Sequence, residues 1–262
     1  MNATELKLQY NVCDNSNGGI PVIIVAAGNS TRMGGINKQF VPLLGIPVIA
    51  RTLMAFETCA EISKIIIVTA KDQVLDMQLI CDKYMISKVT DITVGGKNRH
   101  ESVINGIDKL DSIDGKVLIH DGARPLIDSN TITAVVRALY NYDSALCVRK
   151  INDTVKTVDE SGMVRSTVDR SLLYSSQTPQ GVDVQKYKKA CESISNVESF
   201  TDDASVMEAA GFTVKAIIGS SKNIKITTPD DLIIAEALLK GDGRICELVT
   251  DMMFTAFVII EN

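Results

Sequence analysis

Short apolar runs and longer helical repeats alternate along the middle of this chain. Val22–Ala26, Lys64–Thr69, Ile92–Val94, Val117–His120 and Ala145–Val148 are brief runs rich in β-branched residues. Between them, Pro47–Cys59, Asp72–Met85, Glu101–Leu110 and Ser129–Tyr142 place apolar residues at helical spacing. Several of the strand runs are apolar throughout instead of alternating, as expected where a parallel sheet is covered on both faces. Strand–helix alternation at this spacing predicts βαβ units, and hence an α/β chain with a Rossmann-like, three-layer α/β/α fold and a mainly parallel sheet.

The rhythm lapses between about residues 150 and 180. Lys156–Val168 reads as two alternating segments around the turn D-E-S-G, which predicts a β-hairpin protruding as an arm over about residues 150–170. A helix over Thr201–Ala210 stopped by Gly211, a strand over Val214–Ile218 and a helix over Pro229–Leu239 follow. The last helix has Thr228 at the N-cap, Pro229 at its first position and Asp231 at N3, a capping-box variant. The polar N-S-N-G-G marks residues 1–19 as a flexible leader, and 20–240 as the main domain. Residues 241–262 form an appendage whose role is not legible in the pattern.

Composition narrows the function classes. The 262 residues are 45% hydrophobic with net charge −5, enough for a full core and a poor match to the phosphate backbone of a nucleic acid. There is no Trp and only 5% aromatic residues, which argues against a base-stacking surface. Cys13, Cys59, Cys81, Cys147, Cys191 and Cys246 are scattered without a C-x-x-C pair, so reduced thiols in a cytoplasmic protein are expected, not a metal or disulfide framework. The N-terminal segment lacks the order of a signal peptide, and no apolar run approaches the roughly 20 residues that span a bilayer.

Against that acidic background, a few basic residues in glycine-bearing turns carry the candidate chemistry. The first strand runs into A-A-G-N-S-T-R-M-G-G (Ala26–Gly35), placed where open α/β sheets bind ligands. Ala26, Ala27 and Gly28 let a ligand approach backbone N–H groups, Arg32 offers a donor fork for phosphate oxygens, and Lys38 adds a second charge. A solvated loop with two ordinary surface cations explains the same residues about equally well. After the strand at 117–119, H-D-G-A-R-P (His120–Pro125) puts Asp121 where a ribose hydroxyl or a cation would be met, with Arg124 in a rigid turn. An Asp–Arg surface pair stabilising a turn is the simpler alternative, and His120 reads as a core residue behind the site, not a catalyst. In V-G-G-K-N-R-H-E-S (Val94–Ser102), Gly96 and Ser102 have the groups to read a planar base, although a plain strand–helix turn accounts for them too. Arg170 and Lys225, taken singly, look ordinary.

Taken in order, A-A-G-N-S-T-R-M-x4-K-Q, H-D-G-A-R-P, D-T-V-K, V-D-R, Q-T-P-Q, F-T-D-D-A-S and N-I-K-I-T-x-P-D-D-L resemble one family. They are similar to the cytidylyltransferases that make 4-diphosphocytidyl-2-C-methyl-D-erythritol from CTP and 2-C-methyl-D-erythritol 4-phosphate, over roughly residues 20–240. The resemblance implies a nucleotidyltransferase fold in which Ala26, Ala27 and Gly28 line the CTP pocket and Gly96 and Ser102 read cytosine. It implies that Arg32 and Lys38 stabilise the reacting α-phosphate, and that Asp121 and Arg124 lie beside the nucleotide and its metal. Thr154, Arg170 and Lys225 would hold the sugar phosphate, with Thr154 reaching from the arm into the site of a second subunit of a homodimer. The implied chemistry is in-line attack by an ionised phosphate oxygen with release of pyrophosphate and no general base. Mg²⁺ would be bound mainly through the CTP phosphates, with Asp121 the one candidate protein ligand and none assigned.

Other readings make different demands. A ribitol 5-phosphate cytidylyltransferase would share the loop, metal and dimer, and differs in acceptor. A nicotinamide-dependent oxidoreductase requires G-x-G-x-x-G and an acidic residue closing the second strand, but that strand ends in V-T-A-K (Val68–Lys71). A non-catalytic nucleotide-binding module has no use for Arg32, Lys38, Arg170 and Lys225 together.

Overall fold

A computed structural model describes residues 18–28, 37–111 and 115–241. Residues 1–17 of the expected leader, residues 242–262 of the appendage, and Arg32 lie outside the described residues.

The first apolar run forms β1 (Ile20–Val25), which pairs in parallel with β4 (Ile62–Thr69) on one side and β6 (Lys116–Asp121) on the other. Beyond β4 lies β5 (Val89–Val94); beyond β6 come β10 (Tyr174–Asp183), β7 (Ser144–Lys150) and β11 (Val214–Ile218). The seven-stranded sheet therefore runs β11-β7-β10-β6-β1-β4-β5, and only β10 is antiparallel to its neighbours. A mainly parallel, Rossmann-like sheet is what the alternating pattern predicted.

Neighbouring residues of the apolar strands serve opposite faces. Val22, Ile24, Ile65, Ile67 and Leu118 pack with α1 (Val48–Glu57), α2 (Val74–Lys83) and α4 (Ser129–Ala138). Ile23, Ile66, Val68, Val117 and Ile119 pack with α3 (Arg99–Ile107), α5 (Val184–Ser193) and α6 (Asp203–Ala209). This double burial is why those strands read as unbroken apolar runs, with each fully buried Ile or Val worth about 1.5–3 kcal/mol. Helices α3 to α6 start on side-chain caps: Asn98, Asp128, Asp183 and Asp202 each accept a backbone N–H of the first turn.

The predicted arm is present as a two-stranded hairpin, β8 (Val155–Val158) with β9 (Val164–Val168), closed by a turn at Gly162. It forms its own small sheet. The small β2 (Pro42–Leu43) and β3 (Ile46–Pro47) hairpin, the turn around Ala123 and α7 (Pro229–Gly241) share a third core of Leu43, Val48, Ala123, Leu126, Ile226, Ala235 and Leu239. That core brings Lys225 to the carboxyl end of β6, since Ile226 donates its N–H to Ala123 O at 2.8 Å. At the start of α7, Asp231 accepts from the backbone N–H groups of Thr227 and Thr228.

Two elements depart from expectation. β10 and α5 occupy a stretch read as irregular or left unassigned. β10 is polar and contains Pro179, which sits where the ladder to β7 slips register between Ser176 and Gln180, one of the few places a buried strand tolerates proline.

Candidate active site

The order of the sheet fixes where a ligand can bind. The chain leaves β1 toward β4 and β5 on one side, then returns to β6 on the other, so the ends of β1 and β6 flank a crevice. Val25, Ala27 and Gly28 from the end of β1, Asp121 and Ala123 from the end of β6, and the turn Gly96–Arg99 line a cavity of about 490 Å³. Lys38, Gln39, Ser102 and Lys225 complete its wall. Ala26, expected among the binding residues, instead turns into the core at 1% exposure and spends its N–H on Val68 O at 2.7 Å.

One wall is built by paired glycines. A Cβ on Gly95 would stand 2.4 Å from Ala27 Cβ, and one on Gly96 would stand 2.2 Å from Glu101 Cβ, so only glycine lets this turn close against the β1 loop. Gly96 donates its N–H to Ser102 Oγ at 3.0 Å, and Ser102 donates its hydroxyl hydrogen to Asn98 O at 2.8 Å. With its hydrogen committed, that hydroxyl can only accept from a ligand. Among the described residues, Gln39 Oε1 is buried without a hydrogen-bond partner beside the same cavity.

Asp121 is the hub. Its Oδ2 faces Lys225 Nζ at 3.0 Å and Arg124 Nε at 3.3 Å, and its Oδ1 lies 3.8 Å from Arg99 Nε. Burial alone would raise this carboxyl's pKa, but Lys225, Arg99 and Arg124 together overcome it and hold the group well below the usual carboxylate range. Arg124 is in turn anchored by Nη1 on Asn223 O at 2.9 Å and by its own N–H on Asp121 O. The Asp121–Arg124 pair expected from the sequence exists, and it is buried.

His120 lies behind this hub at 0% exposure, edge-on to Phe56. Nε2 faces the acceptor Arg124 O, so the neutral ring takes the Thr178 hydroxyl hydrogen on Nδ1 at 3.0 Å, while Thr178 Oγ1 accepts the Asp121 N–H, also at 3.0 Å. Nε2 then carries the proton toward Arg124 O at 3.4 Å. Burial pushes the imidazole down to about 3, so it stays neutral. The expected supporting role agrees with this geometry.

A second cavity, of about 250 Å³, opens on the other side of the hub. Arg124, Ser176, Gln177, Thr178, Gln180, Thr201 and Asp202 line it, together with Arg99, Asp121 and Lys225, which it shares with the first. Asp202 accepts from Ser176 Oγ at 2.6 Å and Gln180 Nε2 at 3.0 Å. Across both cavities Lys38, Arg99, Arg124 and Lys225 face Asp121, Asp202 and the buried Asp203 that pairs with Arg99, leaving an excess of positive charge for an anionic ligand. Among the described residues no group of His, Cys, Asp and Glu forms a metal cage, and Asp121 is already engaged by three cations.

Residues 20–241 match the family described as 2-C-methyl-D-erythritol 4-phosphate cytidylyltransferase (IspD). The chain belongs to this family. The Alkaliphilus metalliredigens enzyme of that name is 40% identical over 237 residues, covering 87% of this chain and 97% of the relative. The Halalkalibacterium halodurans enzyme is 41% identical, covering 85% and 98%. The structure of 4-diphosphocytidyl-2C-methyl-D-erythritol synthase from Anaerococcus prevotii superposes with a TM-score of 0.75 at 31% identity, covering 85% of this chain and 96% of that one.

Of the residues that the resemblance to this family singled out, Ala27, Gly28, Lys38, Gly96, Ser102, Asp121, Arg124 and Lys225 come together around the two cavities. Thr154 and Arg170 do not. Both are exposed at the base of the arm, where Arg170 Nη1 is bonded to Asn152 O, and neither lines a cavity. Sequence reasoning passed over Arg99, the residue between the quoted Gly96 and Ser102 that reaches both cavities. Its signal was a second donor fork in a glycine turn, the same signal that selected Arg32.

Proposed function

We propose that this chain transfers the cytidylyl group of CTP to 2-C-methyl-D-erythritol 4-phosphate, forming 4-diphosphocytidyl-2-C-methyl-D-erythritol and pyrophosphate. The observation that carries the reading is the pair of cavities meeting at Asp121, Arg99 and Lys225, in a chain of this family. The larger cavity takes the nucleotide and the smaller one the acceptor. Their shared wall is where the acceptor phosphate meets the α-phosphorus.

The base lies against the glycine turn. Because Ser102 can only accept there, it suits the amino group of cytosine and not the carbonyl of uracil. Lys38, with Arg32 from the preceding stretch of sequence, offsets charge growing on the α-phosphate, while Lys225 and Arg124 hold the acceptor phosphate. A phosphate monoester is largely dianionic at neutral pH, since its second pKa is about 6. Its oxygen therefore attacks without losing a proton; the new P–O bond forms as the bond to the β-phosphate breaks, and pyrophosphate leaves. The neutral, doubly committed His120 is consistent with a reaction that needs no base.

A Mg²⁺ ion would be carried by the triphosphate, with Asp121 the carboxylate at the junction, among the described residues, to meet it, and it would neutralise charge on the phosphate oxygens. The exposed arm supports a homodimer. Thr154 and Arg170 line neither of their own chain's cavities, and Val158, Met163 and Val164 along the arm and Leu172 just after it expose apolar surface. No helix among the described residues is long and apolar enough to cross a membrane, in keeping with a cytoplasmic enzyme.

Pyrophosphate release from CTP, measured with 2-C-methyl-D-erythritol 4-phosphate and with ribitol 5-phosphate as separate acceptors, tests the assignment. Turnover is expected with the first alone. Release with ribitol 5-phosphate only, or with neither, overturns it.

A further inference from the structure

We propose that Arg99 bridges the phosphates of both substrates where the two cavities meet, and that the buried Tyr187–Asp203 pair is the device that aims it. The inference rests on the assignment of nucleotide and acceptor to the two cavities.

Arg99 opens α3 and lines both cavities. Its fork is divided. Nη2 donates to Asp203 Oδ2 at 2.7 Å, Nε faces Asp121 Oδ1 at 3.8 Å, and Nη1 has no protein partner among the described residues. The unengaged edge belongs to a side chain that remains 30% exposed beside an Asp121 carboxylate that is 10% exposed. Two anions must approach each other at this junction, and a guanidinium is suited to span oxygens of both.

Asp203 lines neither cavity, and its side chain is 2% exposed. Its oxygens are split between two partners: Oδ2 takes the guanidinium, and Oδ1 accepts from Tyr187 Oη at 3.0 Å. Burial holds the Tyr187 phenol protonated, and the ring itself is fully buried on α5. A carboxylate this deep costs several kcal/mol unless fully paired, and a tie between helices needs no charge, since an apolar contact closes the same gap as well. What the charged pair adds is direction. Tyr187 fixes the carboxylate, the carboxylate fixes Nη2, and the rigid plane of the guanidinium then presents its remaining edge to the junction. The alternative is a structural ion pair between α3 and α6, with no consequence for substrate.

A double-mutant cycle on the full-length enzyme separates the two, read by steady-state pyrophosphate release. Arg99→Lys keeps the charge and loses the fork, and is expected to lower kcat/KM about 10-fold for CTP and for the acceptor alike. Tyr187→Phe is expected to raise both KM values by about 3-fold to 10-fold, and to cost nothing further in an Arg99→Gln background. The same loss in both backgrounds, or a loss confined to one substrate, overturns the proposal. If Tyr187→Phe does not fold, Asp203→Asn takes its place in the same cycle. Should wild-type enzyme turn over no acceptor, the functional reading falls by itself. Arg99 is then still tested by calorimetric titration with CTP, where an unchanged Kd in Arg99→Lys overturns its role.

Discussion

At the scale of single residues, Asp121 and His120 sit side by side at the end of β6 and do opposite things with charge. Asp121 keeps Arg99, Arg124 and Lys225 from repelling one another while the cavities hold no anion. Asp121→Asn removes the carboxylate and leaves the cations, so ligand-free stability is expected to fall by about 3 kcal/mol in urea denaturation. Added pyrophosphate should restore more of that loss than it adds to wild type, and a midpoint unchanged from wild type would sink the assignment of Asp121 as hub. His120 contributes through neutrality. Its folded pKa is lowered to about 3, so the unfolded chain takes up the proton first as the solution is acidified. Its stabilising effect is complete above about pH 6.5 and declines below it, by up to about 1.4 kcal/mol per pH unit. Urea denaturation at steps from pH 7 to 4.5, a range in which most carboxylates stay ionised, should show a shallower decline for His120→Gln than for wild type. Equal slopes would mean the imidazole is not buried neutral.

At the scale of elements, legibility followed the chemistry of burial. β1, β4 and β6 were readable because both faces are covered and their central runs, residues 22–25, 65–68 and 117–119, are apolar, and Val214–Ile218 matched to the residue. β10 was not, because its Gln177, Thr178 and Gln180 side chains are buried by hydrogen bonding to Asn223, His120 and Asp202 instead of by apolar packing, which leaves no period to detect. α5 was legible in principle: the Asp183 cap precedes Val184, Tyr187 and Ala190, all buried at helical spacing. The site divides the same way. Strand-end and glycine-turn residues were found from position, and Arg99 carried the same signal, but the lining of the second cavity depends on β10 and the start of α6 arriving from distant sequence. The glycine turn also makes a prediction at this scale. Gly95→Ala drives a methyl group against Ala27 and Ser102, so the turn must open; CTP affinity by calorimetry is expected to fall about 10-fold while the fold persists. Unchanged affinity would show that the turn does not bound the nucleotide.

For the whole molecule, the separation of Thr154 and Arg170 from the cavities that the family resemblance expects them to serve is the most consequential feature. Within one chain those residues stand exposed at the base of an arm that forms its own two-stranded sheet, and both cavities are built without them. A chain that completes its own site would need the arm to fold back over the cavities. A chain that completes its partner's site needs only a second copy and a two-fold axis, since an isologous contact pairs each arm with the other chain's crevice. The two arrangements predict different outcomes when inactive variants are mixed. Lys225→Ala spoils the cavity and keeps the arm; Arg170→Ala keeps the cavity and spoils the arm. If the arm serves the partner, a mixed dimer contains one intact site, with its cavity from the Arg170→Ala chain and its arm from the Lys225→Ala chain. Equal mixing after dissociation and reassociation should then recover about a quarter of wild-type turnover, because half of the random dimers are mixed and each has one working site of two. If the arm serves its own chain, every site in every dimer is defective and nothing is recovered. Replacing residues 156–168 by a short turn supplies the matching control: CTP binding should survive, turnover should be lost, and sedimentation should report a monomer. A truncated chain that remained dimeric and active would remove the arm from the site altogether.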